Sequence, residues 1–405
     1  MKPIVRAGRM KPVHSDIRGP LFVEAMKRQK QGIDVLKLNT GNPATFGFGL
    51  PDSIKNALME HMQDGVGYCD FKGMPQARQA ICDYETSKGI TGITPDDVFI
   101  GNGVSEVVSF ALTPLLNDGD EVLVPSPSYS LWGNSVYLED GKPVFYTCDE
   151  QANWYPDIQD IRSKITDKTK AIVIINPNNP TGVLYPKEIL LEIIQVAREF
   201  GLLIFADEIY DRLVMDGKQH ISLASLTEDV PVITLNGLSK SHCLCGYRCG
   251  WMVISGPREL TEDYRQGIIQ LTSLRLCANT MAQIVIPAAL DDMDTPTSMV
   301  RPGGRIYEQR EATVRELEKI NGLSFVKNDA AFYVFPKLDV KKFNITNDKQ
   351  FAHDLLDATN ILLVPGSGFD WKDPDHFRIV MLPQADVLSD AIRRMGTFLD
   401  GYKQK

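Results

Sequence analysis

Several features are scarce in this sequence of 405 residues, and each scarcity excludes a class of protein. No uninterrupted apolar run approaches the roughly 20 residues that a membrane-spanning helix needs, and runs such as Ile284–Leu290 are short. Basic residues are in deficit: 43 Lys and Arg stand against 52 Asp and Glu, which gives a net charge of −9. This balance argues against a protein whose main role is to bind nucleic acid or an anionic membrane.

Cysteine is also scarce, and the N-terminus lacks an apolar segment. The seven cysteines are odd in number and scattered, which is typical of reduced intracellular thiols rather than of a disulfide framework. The first 20 residues are basic but have no apolar stretch after their charges, so they do not form a secretory signal. We therefore expect a cytoplasmic protein with the size and composition of an enzyme. Its length predicts two or three domains, or one large α/β domain with an appendage.

Short apolar runs alternate with helical stretches in the middle of the chain. Each run is rich in β-formers and bounded by Gly, Pro, Asn or Asp, as buried strands are. Pro186–Phe200 lies between two of them and carries an apolar stripe at helical spacing. This order predicts a mostly parallel sheet covered on both faces, an α/β fold. The predicted strands are Val98–Ile100, Glu121–Val124, Pro143–Tyr146, Ala171–Ile175, Leu202–Ala206 and Val232–Leu235.

The two ends of the chain have a different pattern. The first 40 residues show no clear periodicity and are interpreted as an arm, and residues 256–291 are predicted to be largely helical. After Arg301, helices alternate with short strands, which indicates a small α+β domain packed with the arm. We expect an arm at residues 1–48, a large domain at 49–295 and a small domain at 296–405. Within the last, we expect helices at 304–319, 349–358 and 385–399, and strands within 323–337, 361–364 and 377–381.

Polar residues follow three of the predicted strands directly. Asn179 lies in Asn176–Gly182, Asp207 and Tyr210 follow the next strand, and Lys240 follows the strand after that. Ligands bind beyond the carboxyl ends of strands in an open parallel sheet, so these side chains should lie together. The segment Gly101–Glu106 also joins a strand to a helix, which favours an anion site of backbone N–H groups.

One cofactor uses all of these groups, namely pyridoxal phosphate. Lysine forms a reversible imine with an aldehyde, and a buried carboxylate keeps a pyridine nitrogen protonated so that the ring accepts electrons. Amide and phenol donors stabilise the ring's 3-oxygen, and a phosphate needs amides, hydroxyls and a cation. The strand-end residues therefore predict a pyridoxal-phosphate site.

Four motifs give the sequence a specific resemblance. Asn176-Pro-Asn-Asn-Pro-Thr-Gly182, Ala206-Asp-Glu-Ile-Tyr210, Gly237-Leu-Ser-Lys240 and Gly246-Tyr-Arg-Cys-Gly250 occur in the order and spacing of one family. Over essentially its whole length the chain resembles the class I/II aminotransferases, which are fold-type I pyridoxal-phosphate enzymes. The resemblance implies a seven-stranded type of central sheet and a homodimer with shared active sites.

The resemblance also assigns roles to residues. It implies that Lys240 binds the cofactor covalently, that Asp207 pairs with its ring nitrogen, and that Asn179 and Tyr210 contact its 3-oxygen. Tyr129 would stack on the ring, and the phosphate would be held by Val104, Ser105, Ser239 and Arg248, with Tyr68 reaching it from the neighbouring subunit. Gly41, Asn179 and Arg378 would contact the substrate, Arg378 by clamping its α-carboxylate. The catalytic residues would be Lys240, Asp207 and Tyr210.

Several of these residues also have a purely structural interpretation. Taken alone, Asp207 would fit a helix N-cap and Asn179 a proline-flanked turn. Arg378 lies in an apolar run, so it either faces inward towards an anion or lies on an outer face. The chain also departs from many relatives at Gly237, where they carry a serine that contributes a phosphate hydroxyl.

A cluster of one histidine and three cysteines follows Lys240 and resembles a metal-binding motif. His242, Cys243, Cys245 and Cys249 lie within eight residues, a density that suggests zinc. No second Cys/His pair closes such a site, because Cys277 and His220 stand alone. We therefore predict no metal, and we interpret the cysteines as small apolar side chains.

The expected reaction is reversible amino transfer between an amino acid and a 2-oxo acid. Within the family the chain resembles the bacterial branch that acts on alanine and 2-oxoglutarate, a likeness carried by the segments 16–20, 38–44 and 274–279. Arg18 is then the candidate for the distal carboxylate of glutamate. Alternatives are an aminotransferase for aromatic, branched or aspartate-type amino acids, or a pyridoxal-phosphate C–S lyase or decarboxylase. We expect small amino and oxo acids as partners, without nucleic acid or membrane.

Overall fold

The computed structural model describes residues 3–405, so Met1 and Lys2 of the predicted arm lie outside the described residues. Its strands, in chain order, are β1 Leu36–Lys37, β2 Val98–Asn102, β3 Glu121–Ser126, β4 Lys142–Asp149, β5 Tyr155–Pro156, β6 Thr169–Ile175, β7 Leu203–Asp207, β8 Val232–Gly237, β9 Cys249–Ser255, β10 Leu323–Ser324, β11 Tyr333–Val334, β12 Lys337–Leu338, β13 Ile361–Leu362, β14 Val364–Pro365 and β15 Phe377–Val380. Its α-helices are α1 Pro20–Lys30, α2 Asp52–His61, α3 Pro75–Ser87, α4 Val104–Leu112, α5 Leu131–Leu138, α6 Ile158–Lys164, α7 Lys187–Phe200, α8 Leu238–Ser241, α9 Arg258–Arg275, α10 Thr280–Ile284, α11 Ile286–Asp291, α12 Asp294–Val300, α13 Arg305–Leu317, α14 Val340–Phe343, α15 Asp348–Thr359 and α16 Ala385–Gly401. Short 3-10 turns connect several of them.

Eight strands form the central sheet in the order β2-β9-β8-β7-β6-β3-β4-β5. The five strands β4, β3, β6, β7 and β8 run parallel, whereas β9 is antiparallel to both β8 and β2, and β5 is antiparallel to β4. The predicted α/β fold with a mostly parallel sheet is confirmed. An eighth strand, β5, adds two residues at one edge.

Alternating side chains of each strand enter two different cores. Ile172 and Ile174 of β6 pack on one face with α7, whereas Val173 and Ile175 pack on the other face with residues of α4 and α5. Strands buried on both faces are near-continuous apolar runs, which is why the sequence pattern predicted them. The helix α7 ends at Gly201, whose φ of 65° is left-handed, a conformation that glycine adopts without a Cβ penalty.

The strand β9 is absent from the sequence prediction. All seven of its residues are buried, and it pairs with β2 and β8. Its first residues overlap the motif Gly246–Gly250, which the prediction assigned to phosphate binding. Its antiparallel direction also falls outside the strand–helix–strand pattern that predicted the other strands.

The N-terminal segment contains a helix that the interpretation as an arm did not include. The helix α1 starts at Pro20 and ends in a basic turn, and Ala25 is its one fully buried residue. With so little buried surface, α1 lacks the apolar stripe that predicts a helix. The following strand β1 pairs in parallel with β13, so the N-terminal segment packs against the C-terminal segment.

The C-terminal segment forms its own core around β15 and the helices α13, α15 and α16, joined by Leu38. The predicted helices at 304–319, 349–358 and 385–399 are confirmed with bounds shifted by a few residues. The predicted alternating strands at 323–337 are wrong in extent, because only the two-residue strands β10, β11 and β12 form there. Each of them pairs with a strand on one side only.

Within residues 3–405, no single helix is long and apolar enough to cross a membrane. The two helical segments Arg258–Arg275 and Thr280–Asp291 are together long and apolar enough, but the chain bends by 119° between them. The two segments are separated at Leu276, whose φ is 78°.

Candidate functional site

Lys240 lies at the end of a central strand with its amine directed at backbone from the N-terminal segment. It is part of the short helix α8 directly after β8, and its Nζ donates to the Gly41 carbonyl oxygen at 3.0 Å. A Cβ atom at Gly41 would collide with the Tyr333 hydroxyl oxygen, so this position has room for glycine only. Burial acts to lower the pKa of Lys240, but the neighbouring Tyr333, Cys245 and Tyr129 outweigh it, and the pKa is raised above its ordinary value.

Asp207 is the last residue of β7 and is 5% exposed. Its described hydrogen-bond partners are both neutral: the Trp132 indole Nε1 donates to Oδ2 at 3.1 Å, and the backbone N–H of Ile209 donates to Oδ1 at 3.4 Å. Burial is the main influence and raises the pKa of Asp207 to about 6, although both hydrogen bonds act to lower it. A buried carboxylate without a cation is a strong acceptor for a positively charged N–H group.

Tyr210 connects the Asp207 strand end to the C-terminal segment. Its hydroxyl lies 2.9 Å from the hydroxyl of Tyr333, the same group that approaches Gly41. Burial raises the pKa of Tyr210 well above its ordinary value. The Tyr210 phenol therefore stays protonated at neutral pH, and the pair presents hydroxyl groups beside Lys240.

Arg378 is a buried guanidinium without a carboxylate partner in the described chain. It donates to the Asn179 Oδ1 at 2.8 Å and to the Asn39 carbonyl oxygen, while its buried Nε has no partner among residues 3–405. The rings of Tyr333 and Phe369 lie 4.5 and 4.6 Å from its guanidinium carbon. Burial lowers the pKa of Arg378. An enclosed cation of this kind is matched to an incoming anion, and the inward of its two predicted orientations is the observed one.

A second anion cradle lies at the start of α4. Gly103 precedes the helix with a φ of 83°, and Val104 and Ser105 form its first turn. Ser105 Oγ accepts a hydrogen bond from the Arg248 Nη2 at 3.0 Å. A Cβ atom at Gly250 would collide with the Val104 nitrogen, so this glycine lets the backbone of β9 approach the helix. Free N–H groups, a hydroxyl and a guanidinium thus converge where a phosphate would bind.

The other predicted site residues have fewer contacts or are more exposed. The backbone carbonyl of Ser239 accepts a hydrogen bond from the Cys245 thiol at 2.9 Å, and its hydroxyl has no partner among the described residues. Tyr129, before α5, is 37% exposed, and Tyr68 is 84% exposed. Arg18 is exposed and lines a cavity of about 410 Å³ together with Thr40 and Asn42, which flank Gly41.

The cysteines beside Lys240 are spread among separate environments. Cys249 is buried in β9, and Cys243 packs against Met299 with its sulfur 3.9 Å from the thioether. The His242 ring contacts the Ser241 hydroxyl and the Asp292 carbonyl at 3.0 and 3.2 Å. The prediction that these residues do not bind a metal stays a prediction.

In the described part of the chain, one trio has ligand atoms spaced as for a metal ion, namely Glu208, Asp211 and His220. The Lys88 ammonium lies among the same oxygens, 2.8 Å from Glu208 Oε2 and 3.3 Å from Asp211 Oδ2. It also lies 2.6 Å from Glu85 Oε2. Lysine therefore supplies the cation that these carboxylates need.

Sequence reasoning missed Trp132 and Tyr333 as site residues and Asn39 as a backbone contact of Arg378, and it included Gly103 and Gly250 in predicted motifs without giving either a role of its own. Trp132 gave one signal, because it lies three residues after Tyr129 and a buried indole N–H requires an acceptor. Tyr333 gave none, since it lies in a stretch that the pattern assigned to short strands. The structure connects Lys240, Gly41, Tyr333, Tyr210, Arg378 and Asn179 in one continuous set of contacts.

Comparison with known proteins shows a family to which the whole chain is similar. The family model described as "Aminotransferase class I and II" matches residues 33–394. The glutamate-pyruvate aminotransferase AlaA of Haemophilus influenzae is 49% identical over 404 residues, which cover 100% of both chains.

Solved structures agree with this match. A crystal structure of an aminotransferase from Escherichia coli superimposes with a TM-score of 0.98 at 47% identity, and 100% of both chains is covered. An alanine aminotransferase from Pyrococcus furiosus gives a TM-score of 0.93 at 41% identity, over 98% of this chain and 100% of the other.

Proposed function

The chain belongs to the class I and II aminotransferases, and we propose that it transfers an amino group between L-alanine and 2-oxoglutarate, giving pyruvate and L-glutamate. The proposed cofactor is pyridoxal 5′-phosphate, and the reaction consists of two half-reactions that use the same site in turn. The relatives that match over their full length carry this activity in their names. The substrates are accordingly small amino acids and 2-oxo acids.

One observation carries the proposal: a reactive amine and a carboxylate-binding guanidinium are held by the same short piece of backbone. Lys240 donates to the carbonyl of Gly41, and Arg378 donates to the carbonyl of Asn39, two residues earlier. An amino acid whose α-carboxylate binds Arg378 therefore presents its Cα on the side of Lys240. This is the arrangement that proton transfer at Cα requires.

The residues present fit pyridoxal phosphate. Lys240 would bind its aldehyde, Asp207 its ring nitrogen, Asn179 and Tyr210 its 3-oxygen, and Tyr129 its ring face. When bound, the cofactor supplies an electron sink for the charge left on Cα. The raised pKa of Asp207 is relieved when a protonated nitrogen provides the missing cation. The phosphate would be held by Val104, Ser105, Ser239 and Arg248.

The chain's own side chains then perform the proton and binding steps. Once the substrate amine has displaced it from the aldehyde, Lys240 would take the proton from the substrate Cα as a general base and deliver it to the former aldehyde carbon, and it would carry a proton back to Cα in the reverse half-reaction. Arg378 binds the α-carboxylate through two N–H groups, with Asn179 fixing the other side of its guanidinium. The aromatic rings of Tyr333 and Phe369 exclude water from this contact and so strengthen it.

Arg18 is proposed to bind the second carboxylate of glutamate and 2-oxoglutarate. Two observations support this role. Arg18 shares a cavity with Thr40 and Asn42, the neighbours of the glycine that contacts Lys240. It is also exposed and takes no part in the ion pairs formed within residues 3–405, of which the nearest in sequence is that of Asp16 with Lys349, so its charge is available to a ligand.

A homodimer is proposed, with Tyr68 reaching the cofactor phosphate of the partner subunit. Tyr68 is 84% exposed and is accompanied by the exposed apolar side chains of Val66, Leu274 and Leu276. Hydrogen bonds from Thr280 to the Gly65 carbonyl and from Arg275 to the Phe71 carbonyl hold the chain around Tyr68 against the chain around Leu274 and Leu276. Exposed apolar patches of this kind are typical of protein–protein interfaces. Light scattering of the purified protein tests the dimer, and a monomer at micromolar concentration would contradict it.

The function is tested on the purified protein loaded with pyridoxal phosphate. Addition of L-alanine alone should yield pyruvate up to one equivalent per site, and addition of 2-oxoglutarate should make the reaction continue. Continued product formation without an acceptor would instead indicate a lyase or decarboxylase. The variant Lys240→Ala should lose at least about 10³-fold in turnover together with the absorbance of the covalently bound cofactor. Retention of both would refute the role of Lys240.

A further inference from the structure

Asn39 contacts both of the segments that carry carboxylate-binding arginines. Its backbone carbonyl accepts a hydrogen bond from Arg378, and its side-chain Nδ2 donates to the carbonyl oxygen of Ile17 at 2.7 Å. Ile17 is the residue before Arg18. Asn39 is 1% exposed, so both contacts are shielded from solvent. One residue thus connects the guanidinium in the C-terminal segment to the arm beside the second guanidinium.

The Asn39 amide is not arranged for maximum stability. Its Oδ1 is buried and has no partner within residues 3–405, and an unsatisfied buried acceptor destabilises a fold. An apolar side chain of similar volume would avoid this cost. An apolar side chain could not donate a hydrogen bond to the Ile17 carbonyl. This indicates that the role of the Asn39 amide is to position the arm.

The arm has other attachments on both sides of Ile17, and on the C-terminal side Arg28 of α1 donates to the Leu356 carbonyl oxygen at 3.1 Å. The His14 backbone N–H donates to Asn134 Oδ1 at 3.1 Å, and Lys349 Nζ lies 3.1 Å from Asp16 Oδ2. These contacts keep the arm bound when the Asn39 amide is removed. The hydrogen bond from Asn39 therefore fixes the segment that leads into Arg18, rather than the arm as a whole.

We propose that Asn39 is a positioning residue that sets the distance between Arg18 and Arg378, and thereby selects dicarboxylate substrates. The inference rests on the proposed function, in which both arginines bind the two carboxylates of 2-oxoglutarate. The spacing of those carboxylates is set by the substrate's carbon chain, so a shift of Arg18 weakens one of two simultaneous contacts. Alanine and pyruvate have one carboxylate and use Arg378 alone.

The test uses the holoenzyme with Asn39→Ala and compares the Michaelis constants for the acceptor 2-oxoglutarate and for alanine. The constant for the acceptor should rise about five- to tenfold, which corresponds to the loss of one hydrogen bond that orients a charged group. The constant for alanine should change by less than about twofold, because the backbone contact of Asn39 to Arg378 remains. Asn39→Leu, which keeps the volume, should behave in the same way if Asn39→Ala does not fold.

Asn328→Ala is a matched control for the loss of a buried amide. Asn328 is also fully buried, donates to a backbone carbonyl (that of Ala330, at 2.9 Å) and leaves its Oδ1 without a partner in the described chain. It contacts neither arginine segment of the site, so it should leave the ratio of the two Michaelis constants unchanged. An equal change in that ratio for Asn328→Ala and Asn39→Ala would overturn the positioning role.

A binding measurement provides a readout that does not depend on turnover. Calorimetric titration should show that Asn39→Ala weakens glutarate, a dicarboxylate, about five- to tenfold, while propionate binds as before. Equal weakening of both acids would overturn the inference. The variant Arg18→Ala separates the two proposals. If Arg18→Ala does not weaken glutarate more than propionate, the proposed role of Arg18 is wrong. If Arg18→Ala weakens glutarate selectively but Asn39→Ala does not, only the role of Asn39 is rejected.

Discussion

The indole N–H of Trp132 donates to the Oδ2 of Asp207 across 3.1 Å in the buried interior. The two residues come from different elements of the fold: Trp132 lies in the first turn of α5, and Asp207 lies at the end of β7. The tryptophan partly offsets the cost of burying the carboxylate, whose pKa nevertheless rises to about 6. It therefore helps to keep the ionised form that a ring nitrogen would bind.

The first prediction concerns the variant Trp132→Phe. Removal of the indole donor should raise the pKa of Asp207 further, so that less carboxylate is ionised at neutral pH. We expect the Kd of pyridoxal phosphate, measured by absorbance titration, to rise about tenfold at pH 7 and by less at pH 8.5, since one hydrogen bond to a charged group contributes about 1.5–3 kcal/mol.

Trp251→Phe is the control for this change. Trp251 is likewise buried, and its Nε1 donates at 3.2 Å to another buried carboxylate, that of Glu85. It should destabilise the fold without altering the Kd at either pH. A Kd that is unaffected by Trp132→Phe would show that Asp207 does not depend on the indole.

Asp207→Asn should stabilise the cofactor-free protein while removing its activity. The pKa of Asp207 is raised from the ordinary 3.8 to about 6, so the folded state binds the proton more tightly than the unfolded state. The fold therefore loses stability as the pH rises from about 4 through 6, by at most about 3 kcal/mol. The neutral amide avoids this loss.

Thermal unfolding of the cofactor-free protein at several pH values checks this prediction. The Tm of Asp207→Asn should exceed that of the parent at pH 7 to 8, and the difference should vanish near pH 4. A gain confined to low pH, or no gain, would contradict the raised pKa. Such an exchange of stability for function is common at active sites.

The third prediction concerns the clamp on the α-carboxylate. Arg378→Lys keeps a positive charge but loses the planar pair of donors and the contacts with Tyr333 and Phe369. The kcat/KM should fall about 10- to 100-fold, and by the same factor for alanine and glutamate, because both carry an α-carboxylate. A loss confined to glutamate would place the distal carboxylate, instead of the α-carboxylate, on Arg378.

Much of this architecture follows from sequence patterns, and the exceptions have physical causes. Asp207, Asn179 and Lys240 were placed together because parallel strands end at the same edge of a sheet. Trp132 and Tyr333 were missed because their partners lie 75 and 123 residues away, and the local pattern around each resembles ordinary core. The helix α1 was missed because it has no apolar stripe at helical spacing. The strand β9 is an apolar run, but it was missed because its first residues belong to a motif assigned to phosphate binding and because it runs antiparallel to its neighbours.

The last prediction concerns the buried ammonium of Lys88 behind the Asp207 strand end. It lies within 3.3 Å of Glu85, Glu208 and Asp211, and its side chain is 13% exposed. Lys88→Met would leave buried carboxylates without their cation, a change that destabilises proteins by about 3–5 kcal/mol. Burial already raises the pKa of Glu85 to about 7, and loss of the lysine would raise it further.

The sign of the pH dependence follows from the direction of the Glu85 shift. A carboxyl whose folded pKa is raised contributes stability at low pH that is lost as the pH rises through that pKa. The decrease in Tm caused by Lys88→Met should therefore be larger at pH 8 than at pH 5.5. Lys142→Met is the control, since Lys142 pairs with Glu121 but is 65% exposed, and exposed pairs contribute little. If both variants lowered the Tm equally, or Lys88→Met lowered it equally at both pH values, the carboxylates behind Asp207 would not need the lysine as their counter-ion.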